Sequence, residues 1–129
     1  MAGERVLILE DDPLLQTVLA ERFGHEGWEV FTGGTIAEAR SVLEAKEPDV
    51  ALVDLRLPDG ESVELLREIG PSMPTVFVVM TAHATVGSAV EALKLGARDY
   101  LEKPFSLERA VATVRQALEL TVLRREVAA

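Results

Sequence analysis

Five apolar, largely β-branched runs recur along this 129-residue chain, beginning near Val6, Trp28, Val50, Val76 and Asp99. Successive runs start about 22 to 26 residues apart, the length of one strand plus one crossover helix. The segments between them read as helices. Asp12-Pro13 is an N-cap followed by proline at the first helical position. The helix it opens turns Leu15, Val18, Leu19 and Phe23 inward, and Gly24 or Gly27 ends it. Thr35 caps a second helix with Ile36, Ala39, Val42 and Leu43 inward and Pro48 as its stop. A third runs from near Glu61 to Ile69 and halts at Gly70-Pro71. A fourth spans about Thr85 to Leu95, with Val86, Ala89, Val90 and Leu93 expected inward and Gly96 as terminator. Ser106 caps the last, which faces the sheet with Leu107, Val111, Val114 and Leu118.

Five strands alternating with five helices predict a parallel α/β sheet covered on both faces. The third and fourth runs are almost wholly apolar, as central strands are. Right-handed crossovers restrict the topology, and the doubly wound, flavodoxin-like strand order 2-1-3-4-5 is the choice made here. It puts the switch point between the first and third strands. Hydrophobic residues make up 48% and charged residues 27%, ordinary for one globular domain of this length. Residues 1–120 are read as that domain. Residues 121–129 are read as an extension of the last helix and the start of a linker, with Leu120, Leu123 and Val127 at coiled-coil spacing on another face.

The formal net charge of −9 argues against direct nucleic-acid contact, which wants a basic surface. Without cysteine, neither disulfides nor thiolate metal sites are available. No apolar run approaches the roughly 20 residues of a membrane helix, and the N-terminus runs straight into a strand pattern, leaving no room for a signal peptide. A cytoplasmic location is expected.

The strand ends carry the chemistry. Glu10-Asp11-Asp12 follows the first run, Asp54 the third, Thr81 the fourth and Lys103-Pro104 the fifth. In a parallel sheet these ends converge. Two carboxylates ~4 Å apart repel by about 4 kcal/mol at an effective dielectric of 20, so a proton or a cation must relieve them. Oxygen-only ligands point to a hard ion, and Mg²⁺ suits a site that keeps waters and a phosphate oxygen. With the repulsion cancelled, a carboxylate can attack phosphorus. Lys103 supplies a point charge for phosphoryl oxygens or for the free carboxylate. The Thr81 hydroxyl can donate to a phosphoryl oxygen, and Ala82 leaves room for its approach. Of the three acids after the first strand, Asp12 is best used as the helix cap. Asp11 is then the favoured direct ligand and Glu10 an outer one, with the register open to a slip of one residue. Each residue alone reads more simply, as a solvated acid, a turn threonine or a surface lysine; their order at successive strand ends favours a site. His83 reads as a surface loop group and His25 as a helix-end residue.

On the motifs Leu-Ile-Leu-Glu-Asp-Asp-Pro (7–13), Asp-Leu-Arg-Leu-Pro (54–58), Met-Thr-Ala-His (80–83) and Asp-Tyr-Leu-Glu-Lys-Pro-Phe (99–105), the chain resembles the receiver domain of two-component response regulators over residues 5 to 120. The resemblance implies a phosphorelay signalling switch, not an enzyme with turnover, although slow self-phosphorylation from small phosphodonors and self-dephosphorylation are expected. It implies that Asp54 receives a phosphoryl group from a sensor histidine kinase. It further implies that Mg²⁺ is held by Glu10, Asp11, Asp54 and the backbone carbonyl of Arg56, with Thr81 and Lys103 completing the site and a cis Lys103-Pro104 bond. By the same resemblance, Thr81 and Tyr100 are expected to form the switch, altering the face made by the fourth helix, fifth strand and fifth helix toward a downstream output or a homodimer partner. Ser62 is a departure, since the family often places glycine there; Gly60 can supply the flexibility. Thr-Ala-His-Ala-Thr-Val (81–86) and Val-Glu-Ala-Leu-Lys-Leu-Gly-Ala (90–97) resemble the receivers of NtrC-type transcriptional activators, which makes transcription the expected output. A stand-alone receiver acting by protein contact is the alternative.

Two other classes fit less well. A phosphohydrolase using an aspartyl phosphate commonly has a second acid two residues after its nucleophile, where this chain has Arg56. A flavodoxin-like cofactor binder wants a Ser/Thr/Gly-rich phosphate loop, and Glu10-Asp11-Asp12-Pro13 would repel a phosphate.

Overall fold

Each of the five apolar runs becomes a strand of one parallel sheet: β1 (Arg5–Leu9), β2 (Glu29–Gly33), β3 (Val50–Asp54), β4 (Val76–Thr81) and β5 (Asp99–Glu102). The computed structural model describes residues 3–82 and 85–128. The sheet order is β2-β1-β3-β4-β5, all pairs parallel, as the alternation predicts. The crossovers are α1 (Pro13–His25), α2 (Ile36–Lys46), α3 (Ser62–Ile69) and α4 (Val86–Lys94), and α5 (Leu107–Ala128) follows β5. A two-residue antiparallel hairpin, Arg56–Leu57 with Gly60–Glu61, lies between β3 and α3, and one 3₁₀ turn, Gly70–Ser72, follows α3. No described helix is long and apolar enough to cross a membrane.

The helices begin where their caps are. The Asp12 carboxylate accepts the Leu14 N–H at 3.0 Å, with Pro13 first in α1. The Thr35 hydroxyl accepts the Glu38 N–H at 3.1 Å, and the Ser106 hydroxyl accepts the Arg109 N–H at 3.1 Å. These bonds satisfy donors that a helix start leaves without intrahelical partners.

Side chains alternate across the sheet and fill two cores. One, under α1 and α5, joins Val6, Ile8, Leu52, Val78 and Met80 to Leu19, Phe23, Val114 and Leu118. The other joins Leu7, Leu9, Ala51, Val53, Phe77 and Val79 to Leu43, Leu65, Leu66 and Ala92. β3 and β4 are buried along their whole length because each has strands on both sides and helices on both faces.

The inward face of α4 differs from expectation. Val90 and Leu93 are 43% and 49% exposed, while Ala92 is fully buried and Leu95 packs on the core. The buried side carries alanine instead, with Ala92 buried and Ala89 half-buried; the Val86 side chain lies outside the described residues. The outward apolar residues made the periodicity ambiguous.

The register aligns the C-terminal strand ends. Leu9 pairs with Gly33 and Val53, Asp54 with Met80, and Thr81 with Glu102. Residues just past those pairs therefore meet at one edge.

Candidate functional site

Glu10 is fixed first by its backbone. Its N–H donates to the Gly33 carbonyl at 2.9 Å, and its carbonyl accepts from Gln16 Nε2 at 2.9 Å. The same Gln16 nitrogen donates to the Gly33 carbonyl at 3.2 Å. The Glu10 side chain is buried; one carboxylate oxygen accepts the Asp12 N–H at 3.0 Å and the other accepts from Lys103 Nζ. Asp12 is spent as the cap of α1, and Asp11 is exposed at the rim.

Asp54 ends β3 with its carboxylate shared between two donors. Lys103 Nζ donates to Oδ2 at 2.6 Å and the Arg56 N–H donates to Oδ1 at 3.1 Å. Behind it, the buried Ser62 hydroxyl donates to the Asp54 main-chain carbonyl, and the Ser62 N–H donates to the Leu55 carbonyl at 2.9 Å. Lys103 reaches the cluster from a cis Lys103-Pro104 peptide, as expected, and its N–H donates to the Thr81 carbonyl at 2.8 Å. Thr81 is buried beside it at the end of β4.

Glu10, Asp11 and Asp54 each offer a carboxylate oxygen, and these oxygens lie within 4.8 Å of one another. One ammonium cannot neutralise three carboxylates. Burial pushes the Glu10 carboxyl above its ordinary value; Lys103 and the Asp12 N–H pull it down, and the Asp54 charge adds to the rise. Burial alone would lower the pKa of the Lys103 ammonium, but its hydrogen bonds to Asp54 and Glu10, and their charges, outweigh this and hold it above its ordinary value. The lysine thus gains from two carboxylates while the deeply buried glutamate receives only part of one ammonium. Three convergent carboxylates, with no imidazole or thiolate beside them among the described residues, fit a hard divalent cation such as Mg²⁺.

Of the remaining expected residues, Arg56 lies in the short hairpin with its side chain exposed. Tyr100 is half-buried on β5, and its buried hydroxyl has no hydrogen-bond partner among the described residues. His25 is the exposed last residue of α1. His83 lies outside the described residues.

Sequence reading missed Asp59, whose two carboxylate oxygens accept the Ile36 N–H at 2.8 Å and the Ala37 N–H at 3.1 Å. These backbone donors hold its carboxyl below the ordinary aspartate value. In sequence, Asp59-Gly60 reads only as a turn, and nothing local says which helix it faces. Ser62 stood out as an unusual residue, but its bond to Asp54 depends on a contact eight residues back.

The model of the family described as "Response regulator receiver domain" matches residues 6–115. The regulatory protein AtoC of Escherichia coli (strain K12) is 34% identical over 127 residues, covering 98% of this chain and 28% of AtoC. The chain therefore spans about a quarter of that relative's length. Among solved structures, the signal receiver domain of a Luxo repressor protein from Vibrio parahaemolyticus superposes with a TM-score of 0.93 at 30% identity, covering 98% of each chain. The beryllofluoride-activated NtrC4 receiver domain dimer gives a TM-score of 0.85 at 35% identity, covering 91% of this chain and 98% of that one.

Proposed function

Because the chain belongs to the response regulator receiver domain family, we propose that it is a phosphorylation-dependent switch of a two-component system, in which Asp54 accepts a phosphoryl group from a sensor histidine kinase. The observation that carries this reading is the convergence of Glu10, Asp11, Asp54 and Lys103 at one sheet edge. An Asp54 carboxylate oxygen forms the new bond to phosphorus while the bond from phosphorus to the donor breaks, and its electron pair leaves with the donor. Lys103 lies 2.6 Å from Asp54 and exchanges that contact for a phosphoryl oxygen. Thr81 donates its hydroxyl to another. Glu10, Asp11, Asp54 and the Arg56 carbonyl would hold Mg²⁺, which when bound cancels charge between the carboxylates and the phosphoryl oxygens.

Phosphorylation adds charge at the end of β3, and Thr81 and Tyr100 respond to it as a two-state element. The Tyr100 hydroxyl, buried without a partner among the described residues, supports that role, since an unsatisfied buried hydroxyl favours rearrangement. The α4–β5–α5 face carries the change outward. Exposed Val90 and Leu93 support this face as the contact for a homodimer or an output partner, and the similar NtrC4 receiver domain, solved as a dimer, supports a homodimer as one of the two. The domain occupies residues 1–120, and residues 121–129 prolong the last helix toward a linker; the unbroken course of α5 to Ala128 supports this, with Ala129 outside the described residues. The DNA-binding transcriptional regulator NtrC of Escherichia coli (strain K12) is 37% identical over 114 residues, which supports transcription as the output. The molecule works in the cytoplasm as a signalling module, turning over its own acyl phosphate only slowly.

Incubation with acetyl phosphate and Mg²⁺ adds one phosphoryl group to the wild type by intact mass, and Asp54→Asn removes the adduct. An unmodified wild type under saturating phosphodonor would refute the assignment.

A further inference from the structure

The loop after Asp54 is held from two sides. On the inside, Ser62 donates from its hydroxyl to the Asp54 carbonyl and from its N–H to the Leu55 carbonyl. On the outside, Asp59 receives the first two N–H groups of α2, at 2.8 and 3.1 Å. Thr35 already caps that helix through the Glu38 N–H, so Asp59 takes donors the local cap leaves over. Gly60 makes the approach possible: its φ is +146°, and a Cβ there would lie 3.2 Å from Ile36 Cδ1.

The strand end just before α2 leads back to the acids. The Gly33 carbonyl, two residues before Thr35, accepts from both the Glu10 N–H and Gln16 Nε2. Hydrogen bonds and short backbone segments therefore close a ring: Asp54, its loop, Asp59, the start of α2, Gly33 and Glu10. Lys103 bridges two of the three carboxylates inside it, and the repulsion that one ammonium leaves uncancelled acts to separate the β1 and β3 loops. The Asp59 contact is the part of the ring made by exposed loop residues, Pro58 to Gly60.

We infer that Asp59 is a positioning residue for the cation site, clasping the loop after Asp54 to α2 so that the acids stay at binding distance. The inference rests on the reading of Glu10, Asp11 and Asp54 as a Mg²⁺ site. Outer contacts that orient metal ligands typically change affinity by about 10- to 100-fold when removed.

The test is calorimetric titration of Mg²⁺ into wild type, Asp59→Ala, Asp59→Asn and Thr35→Ala. Asp59→Ala weakens binding by about tenfold or more, and Asp59→Asn, which keeps one acceptor, recovers part of it. Thr35→Ala removes a cap of the same helix without touching the loop and binds Mg²⁺ as the wild type does. In metal-free protein, amide exchange quickens over residues 55–61 of Asp59→Ala while β1 and β3 amides stay protected. Wild-type affinity in Asp59→Ala, or an equal loss in Thr35→Ala, overturns the inference while leaving the site reading intact. A wild type that binds no Mg²⁺ overturns both.

Discussion

Lys103 is the residue on which the acid cluster balances. It reaches Asp54 and Glu10 at once, and with its side chain 18% exposed it works in partly desolvated surroundings. Its pKa is raised above the ordinary 10.5. The stability it contributes is therefore fully present below pH 10.5 and is lost as pH rises through the higher folded value. Lys103→Ala leaves two carboxylates facing each other and costs at most about 3–5 kcal/mol. The sheet and both cores remain, so the far-ultraviolet circular dichroism spectrum stays native while the conformational response to phosphorylation weakens. Loss of the native spectrum would show that the lysine is needed for folding. Asp54, Thr81 and Lys103 were legible in sequence because each ends an apolar run. The pairing of one ammonium with both acids was not, since Lys103 lies 93 residues from Glu10.

At the scale of elements, the loop between β3 and α3 does the most with the fewest residues. Gly60 adopts φ +146° against Ile36, a region that side chains rarely enter. Gly60→Ala is expected to cost about 1–3 kcal/mol, read as a lower urea midpoint with an unchanged slope. Retained wild-type stability would mean the loop moves away from α2 freely. The helix starts at Asp12, Thr35 and Ser106 were readable because a cap and its partner N–H lie within three residues. The α4 face was not, because Val90 and Leu93 are as apolar as the buried Ala92, and only the sheet decides which side turns in.

For the whole molecule, opposing titrations shape stability. Glu26 is lowered by its hydrogen bond from Arg22, with smaller help from Arg115, and Asp59 by the Ile36 N–H. Their contributions are present above the ordinary carboxylate values of 4.5 and 3.8 and are lost as pH falls through the lower folded values. Glu10 is raised by burial, so its contribution is present below its ordinary 4.5 and is lost as pH rises through its higher folded value. Metal-free protein should therefore be most stable at mildly acidic pH. Thermal melts of Glu10→Gln should lose the decline on the neutral side, and Mg²⁺ should raise the wild-type midpoint there. A decline of the same size in Glu10→Gln would place its origin elsewhere.

The sequence alone determined the five βα units, their order in the sheet, the helix caps at Asp12, Thr35 and Ser106, and the four strand ends that carry the acids, the threonine and the lysine. All of these depend on local periodicity or on residues close in the chain, and parallel topology leaves few ways to join them. Tertiary structure decided which way α4 faces, how Lys103 divides itself between two carboxylates, and which helix Asp59 meets. Those outcomes depend on distances between segments far apart in the chain, set only once two hydrophobic faces have packed.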